Sequence, residues 1–193
     1  MKASEACSAD ELLTRARAGE SSAFAALVRQ YQRTVYSIAL RMLSDRHRAE
    51  DLAQEVFLQL YRSLDSIESD SHLAFWLRKV SVNRSIDRIR QESHHDGEPL
   101  ADAEVVGAAT DDSDPLLQRR MAELVAQLPP AARAVVVLRY QEDLDPMDIA
   151  SALDMSINTV KSHLKRSLNS MRARILGTEI VDDVRPDVSE PTR

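Results

Sequence analysis

The chain has 193 residues, of which 44% are hydrophobic and 29% are charged, a balance typical of globular proteins. Its four glycines and three phenylalanines stand against abundant Leu, Ala, Arg and Glu, which favours helices. No apolar run approaches the length of a membrane span, and the N-terminus lacks the apolar core of a signal peptide. We therefore expect a cytoplasmic protein, and its single cysteine, Cys7, has no partner for an internal disulfide.

The net charge of −6 is unevenly distributed. Residues 93–115 contain seven acids and no Lys or Arg, and residues 177–193 have a net charge of −3. Residues 1–92 and 116–176 have net charges of +1 and +3. Because local basic faces determine binding to nucleic acids, the acidic total does not exclude a DNA-binding protein.

Apolar residues at steps of three or four predict four helices in the first domain, residues 9–92. They are expected at residues 9–18, 21–42, 46–64 and 72–91, with a polar loop at 65–71 and caps at Ser21, Ser22 and Asp45. We expect residues 1–8 to be disordered.

Two of these helices carry charge patterns with more than one interpretation. Glu50, Asp51, Gln54 and Glu55 lie early in the third helix, where acids stabilise the helix dipole or form a docking face for a basic partner. The fourth helix is cationic from Trp76 onward and is a candidate nucleic-acid face. Trp76 itself fits a base-stacking position or, as we favour, a core position.

Residues 93–114 have no sustained period and predict an acidic, flexible linker. The adjacent His94 and His95 lack spaced partners, so we expect no metal site, and no motif indicates a cofactor or a catalytic centre. The second domain, residues 115–176, should contain four helices, and residues 177–193 an acidic disordered tail. The Val-rich stretch at 135–138 allows a strand, but its surroundings favour a helix.

The end of the second domain has the pattern of a helix-turn-helix. Ile149, Ala150 and Leu153 share one face of a short helix, and Ser156 is a good cap for the next. The predicted buried stripe of that helix consists of Ile157, Val160, Leu164, Leu168, Met171 and Ile175. Residues 156–174 contain five Lys or Arg and no acid. A helix of this kind either reads a DNA major groove or simply presents a basic face to solvent.

Three motif groups in this order resemble the extracytoplasmic-function (ECF) group of bacterial sigma factors in the sigma-70 family. The first runs from Arg48 to Leu58, and the second from Phe75 to Val80 and on to Arg88. The third comprises Leu128-Pro129, Leu138 to Tyr140, Asp148 to Ala150, and Thr159 to Ser162. The resemblance covers residues 10–92 and 115–175 and implies an all-α, non-enzymatic initiation factor with a region 2-like domain and a region 4-like domain.

The resemblance also implies partners and contact residues. Core RNA polymerase would bind through the clamp of its large subunit to Asp51, Gln54 and Glu55, and through its flap to the C-terminal domain. The promoter −10 element would contact Lys79, Asn83, Arg84 and Arg88. The −35 element would contact Asn158, Thr159, Lys161, Ser162, Lys165 and Arg166. An anti-sigma factor is a further expected partner, membrane insertion is not expected, and the protein would associate with the nucleoid.

Three positions depart from the family pattern. Asp154 stands where glycine is usual in the turn, but Asp tolerates a left-handed backbone, so we expect the turn to survive. Asn158 stands where glycine is frequent and His163 where arginine is frequent. Alternatives to the sigma interpretation are a dimeric operator-binding regulator, for which no heptad seam is visible, and an inhibitor that sequesters polymerase, which would not need the cationic helix.

Overall fold

The structure, a computed structural model, describes residues 8–95 and 114–177. Within them the chain forms eight α-helices and one 3₁₀ turn, Leu64–Ser66, and no strand. In chain order the helices are α1 Ala9–Arg17, α2 Ser21–Leu43, α3 Arg46–Ser63, α4 Asp70–His95, α5 Pro115–Ala126, α6 Pro130–Tyr140, α7 Pro146–Leu153 and α8 Ile157–Leu176. The predicted all-α fold is confirmed, and α6 confirms the choice of a helix for the Val-rich stretch.

The helix ends show why these segments begin and stop where they do. Asp45 accepts a hydrogen bond from the Arg48 backbone N–H and caps α3, as predicted. Ser8 caps α1 in a reciprocal pair with Glu11, so the last residue of the segment expected to be disordered belongs to a helix cap. The cap residue of α2 is Glu20, and not Ser21 or Ser22.

The predicted loop before α4 is shorter than expected, and α4 extends beyond its predicted bounds at both ends. The loop at 65–71 is partly a 3₁₀ turn, and α4 starts at Asp70 because Ser69 Oγ accepts a hydrogen bond from the His72 N–H at 3.2 Å. At its other end α4 continues to His95, beyond the predicted end at Gln91. The remaining predictions for the disordered N-terminus, the acidic linker and the tail lie outside the described residues.

Two apolar cores hold the helices together. The first lies within α1–α4 and includes the fully buried Leu27, Leu52 and Leu60. The second contains the buried faces of α5–α8, but Ile38 and Met42 of α2 also belong to it. Val82 and Ile86 of α4 join the same cluster. The second core is therefore shared between the two halves of the chain.

The apolar stripe predicted for α8 is only partly buried. Val160 and Met171 are buried, whereas Leu168 is 41% exposed and Ile175 is 58% exposed. The short helices α5–α7 offer too little surface to cover a helix of 20 residues along its full length. Along the part of the chain that the structure describes, no helix is both long enough and apolar enough to cross a membrane.

Arg133 of α6 ties the two halves together through backbone carbonyls. Its guanidinium donates to Met42 O at the end of α2, to Ala126 O at the end of α5, and to Leu128 O at 3.4 Å. Carbonyls in the last turn of a helix lack intrahelical partners, so a cation placed there satisfies them. Burial, together with the charge of Arg48, lowers the pKa of Arg133 to about 10, which still leaves it charged at neutral pH.

We expect the Arg133→Ala substitution to reduce the free energy of unfolding by about 2–4 kcal/mol, because it leaves several partly buried carbonyls without a donor. Urea denaturation of the full chain measures this effect. Arg119→Ala is the control, since Arg119 is an exposed member of a surface ion pair with Glu123 and should cost less than about 1 kcal/mol. Equal losses in the two variants would contradict the proposed role of Arg133.

Candidate nucleic-acid and polymerase interfaces

Helices α7 and α8 form a helix-turn-helix whose ends are capped by local hydrogen bonds. Asp145 accepts from the Met147 and Asp148 backbone N–H groups at the start of α7. Asp154 adopts the left-handed conformation with φ of 50°, so the turn survives without glycine, as predicted. Ser156 accepts from the Thr159 N–H at 3.0 Å and starts α8, which confirms its predicted role as a cap.

The outer face of α8 presents the residues that the sequence suggested for contact with the −35 element. All six are exposed: Asn158, Thr159, Lys161, Ser162, Lys165 and Arg166. Within the described ranges, neither Lys161 nor Lys165 forms an ion pair, and Arg166 donates a long hydrogen bond from Nε to the Ser162 carbonyl of its own helix, at 3.4 Å. Such cations keep their charge available for phosphates or base edges in a major groove.

His163 lies among these residues but is less exposed. Partial burial, and secondly the nearby charge of Arg166, lower its pKa. A histidine whose pKa lies below its ordinary value is mainly neutral at pH 7.5. Helix α8 therefore has no permanent cation at this position.

The four residues suggested for the −10 element lie along α4, and two of them turn toward α3. Arg88 donates from Nη2 to Glu55 Oε1 at 2.7 Å and from Nη1 to the Arg48 carbonyl at 3.2 Å. Arg84 donates to Gln59 Oε1 at 2.7 Å and lies 3.4 Å from Glu55 Oε2. Glu55 thus joins both arginines, which places a suggested polymerase contact next to suggested DNA contacts.

The other two −10 candidates turn toward α7. Lys79 Nζ donates to the Ser151 carbonyl at 3.3 Å and lies 3.5 Å from Asp154 Oδ1. Asn83 Nδ2 donates to the Ala152 carbonyl at 3.1 Å. The structure therefore divides the four α4 residues into two pairs, and both pairs are engaged by other parts of the chain.

A groove of about 790 Å³ runs between α3 and α4 beside these side chains. Trp76 lines the groove and also packs, partly buried, against the first core, so the core position that the sequence favoured is only part of its environment. Phe75 and His72 lie along the same groove. An aromatic wall next to cations and amides is suited to an unpaired nucleotide, because bases stack on aromatic rings while phosphates pair with cations.

The polymerase candidates on α3 separate into different surroundings. Asp51 and Gln54 are exposed, whereas Glu55 belongs to the arginine cluster. Gln54 also lines a second groove of about 560 Å³ between α2 and α3. Arg33 and Tyr36 of α2 line it as well. The sequence analysis did not single out either residue. The only signal was for Arg33, which lies outside the apolar face of α2.

The sequence of the chain is similar to two family models and to proteins of known function. The family model described as Sigma-70 region 2 matches residues 27–95, and that described as Sigma-70, region 4 matches residues 118–171. The ECF RNA polymerase sigma factor SigW of Bacillus subtilis is 28% identical over 179 residues, covering 84% of this chain and 94% of SigW. SigM of Mycobacterium tuberculosis, also an ECF sigma factor, is 30% identical over 167 residues, covering 86% of this chain and 84% of SigM.

A solved structure agrees with the fold. The sigma factor RpoE of Bartonella quintana, crystallised with the anti-sigma factor NepR, superposes with a TM-score of 0.66 at 21% identity and covers 82% of this chain and 98% of RpoE. Two helical units of this kind, one ending in a helix-turn-helix, define a sigma-70-type initiation factor. The chain belongs to the ECF group of that family and directs promoter-specific transcription by RNA polymerase.

We expect His163→Arg to strengthen binding of the full chain to duplex DNA and to steepen its salt dependence. A new permanent cation that neutralises one phosphate changes the slope of log K against log salt by about −0.9. Fluorescence anisotropy with a labelled promoter duplex at several salt concentrations measures the slope at pH 7.5.

His163→Gln is the matched control for this prediction. Because the lowered pKa keeps His163 mainly neutral at pH 7.5, removal of the imidazole should leave the slope unchanged. An unchanged slope for the arginine variant, or a shallower slope for the glutamine variant, would contradict the prediction.

Proposed function

We propose that α8 reads the −35 element of the promoter as duplex DNA. The observation that carries the proposal is the continuous exposed face of six polar and cationic residues on a capped helix that contains no acid. Lys161, Lys165 and Arg166 supply the phosphate or guanine contacts, and Asn158, Thr159 and Ser162 supply shorter polar contacts to bases or phosphates.

We propose that α4 binds the −10 element through Lys79, Asn83, Arg84 and Arg88. Support comes from their alignment along the groove that Trp76 lines. Capture of an unstacked base costs a few kcal/mol, which stacking on an aromatic ring and pairing of the backbone with cations offset. Polymerase and a second DNA contact at α8 supply further binding free energy.

We propose that core polymerase docks on α3 through Asp51, Gln54 and Glu55. Asp51 and Gln54 are exposed, and the adjacent α2–α3 groove offers apolar surface beside them. The second domain would contact the polymerase flap. In this arrangement the chain supplies binding surfaces only and performs no chemistry of its own, and it works in the cytoplasm at the nucleoid.

An anti-sigma factor is proposed as the regulatory partner. The support is that RpoE, which shares this fold, is crystallised with the anti-sigma factor NepR.

Run-off transcription from a genomic promoter pool, with core polymerase in the presence and absence of the protein, tests the proposed function. Discrete start sites that appear only with the protein support it and reveal the promoter sequences. Binding to core without new transcripts would favour an inhibitor. Binding to duplex DNA without binding to core would favour a stand-alone regulator.

Asp51→Lys should weaken binding to core polymerase by tenfold or more (about 1.4 kcal/mol), because like charges then meet at the docking surface. Its affinity for −35 duplex should not fall, since Asp51 lies on α3. Biolayer interferometry with immobilised core measures the first effect and anisotropy the second. Asp51 is preferred to Glu55 because reversal of Glu55 would also break its contacts with Arg84 and Arg88.

Lys161→Ala and Arg166→Ala should show the reverse pattern. Loss of a phosphate contact should weaken binding to −35 duplex and reduce its salt slope by about one, while binding to core remains unchanged. Promoter-specific transcripts should fall with the DNA affinity. Each variant serves as the control for Asp51→Lys, and simultaneous loss of both activities in either set would argue against separate surfaces.

A further inference from the structure

An open groove of about 560 Å³ lies between α5, α6 and α8, and we call it the α5–α8 groove. Its apolar lining includes Met121, Val125, Val137, Tyr140, Leu168 and Met171. Several of these side chains remain in contact with solvent, since Tyr140 is 60% exposed and Met121 is 37% exposed. Apolar side chains gathered along one open groove are costly to leave in water and are typical of a binding surface.

The same groove contains two polar groups that lack partners. Arg41 of α2 lines it, and within the described residues the Arg41 guanidinium forms no ion pair or hydrogen bond. Burial lowers the pKa of Arg41. The buried Oε1 atom of Gln141 receives no hydrogen bond from the described residues, although Nε2 donates to Ser37 Oγ at 3.0 Å. An occupant that fits the groove therefore combines apolar side chains with a carboxylate for Arg41 and an N–H group for Gln141.

The sequence that follows α8 has this combination of groups. Residues 178–193 lie outside the described residues, and their sequence begins Thr-Glu-Ile-Val-Asp-Asp-Val. Two carboxylates, those of Asp182 and Asp183, stand between the apolar pair Ile180-Val181 and the apolar Val184. Residues 177–193 have a net charge of −3. This segment thus offers both the apolar and the acidic groups that the groove lacks.

The position of the end of α8 places the segment within reach of the groove. Gly177 adopts the left-handed conformation with φ of 66°, and its N–H returns to the Ala173 carbonyl. Such a cap redirects the chain, and an apolar contact between the residues beyond it and the last helical turns often accompanies it. Met171 lies about 9 Å from Gly177 along the helix at 1.5 Å per residue. Three extended residues span about 10 Å, so Ile180 can reach the level of Met171.

Cations at the end of α8 favour an acidic segment at this place. Arg172 and Arg174 are exposed, and neither forms an ion pair within the described ranges. Residues 156–177 contain no acid that could neutralise them. A segment tethered through a short linker has an effective concentration in the millimolar range, so weak contacts suffice to hold it in place.

We propose that residues 178–188 of this chain dock in the α5–α8 groove. Ile180, Val181 and Val184 then cover its apolar lining, and the carboxylates of Asp182 and Asp183 face Arg41. The inference replaces the sequence-based expectation of a disordered tail for these residues, and it does not depend on any of the proposed promoter contacts. The docked segment shields an apolar surface of the second domain, and any partner that binds this surface has to displace it.

The methionines of the chain report on this docking in the full-length protein. Met121 and Met171 line the groove, whereas Met147 and Met155 are not part of its lining. A nitroxide spin label on Ser189→Cys, in a Cys7→Ser background, should broaden the methyl signals of Met121 and Met171 in NMR spectra recorded with isotope-labelled methionine. Absence of broadening at Met121 would overturn the proposal.

The matched control keeps the length and charge of the tail but removes its apolar side chains. In the triple variant Ile180→Ser, Val181→Ser and Val184→Ser, the label remains tethered to the same helix, so the remaining broadening measures an undocked tail. We expect the broadening of Met121 to be several-fold weaker in this variant. The three substitutions lie outside the eight helices and leave both cores intact. Equal broadening with the native and the serine tail would overturn the proposal.

The pairing with Arg41 has a separate test. Asp182→Asn/Asp183→Asn removes two carboxylates with little change in shape and should weaken the broadening of Met121. Addition of Arg41→Gln should weaken it no further, because the interaction has already lost its other member. The control, Asp187→Asn/Glu190→Gln, removes the same number of charges and should have a smaller effect. Equal losses in the two double variants would overturn the assigned pairing with Arg41.

The main alternative position for the acidic segment is the cationic outer face of α8. In that case Asp182→Asn/Asp183→Asn would tighten binding of the full chain to duplex DNA, measured by fluorescence anisotropy, while Met121 would show the same broadening with the native and the serine tail. That combination would reject the α5–α8 groove as the docking site. Docking in the groove instead predicts that the triple serine variant, without any label, shifts the methyl signals of Met121 and Met171 and leaves that of Met147 in place.

Discussion

Burial of apolar side chains from α2 and α4 against α5–α8 is the interaction on which the rest of this structure depends. Ile38, Met42 and Val82 are fully buried in a core whose other buried members, apart from Ile86 of α4, are second-domain residues. Each large apolar side chain removed from water contributes about 1.5–3 kcal/mol. This interface brings Arg133 to the end of α2 and brings the polar face of α4 to the end of α7.

Helix ends, more than helix faces, connect the two halves through polar groups. Helix α7 has eight residues, and an isolated helix of that length is unstable in water. Its first turn is capped by its own Asp145, but two of its last carbonyls depend on α4. Arg133 does the same for α2 and α5. The orientation of the helix-turn-helix is therefore stabilised partly by residues more than 60 positions away in sequence.

One acidic side chain, that of Glu55, forms ion pairs with more than one arginine. Glu55 contacts both Arg84 and Arg88, and Arg48 contributes a carbonyl to the same group as well as an ion pair to Glu92. Glu55 of α3 reduces the electrostatic repulsion between the cations that lie along α4. The proposed polymerase-binding and −10-binding surfaces are consequently adjacent, and a substitution at Glu55 should affect both.

Local sequence determined the helices, most of their ends and the existence of the helix-turn-helix, because apolar periodicity and capping act over three or four residues. The caps at Asp45 and Ser156 and the left-handed turn at Asp154 are examples. Tertiary structure alone decided which parts of the α8 stripe are buried, that α2 and α4 share the second core, and that Lys79 reaches Ser151 across 72 positions. These outcomes depend on how whole helices pack against one another, and the spacing of residues within one helix carries no record of that packing.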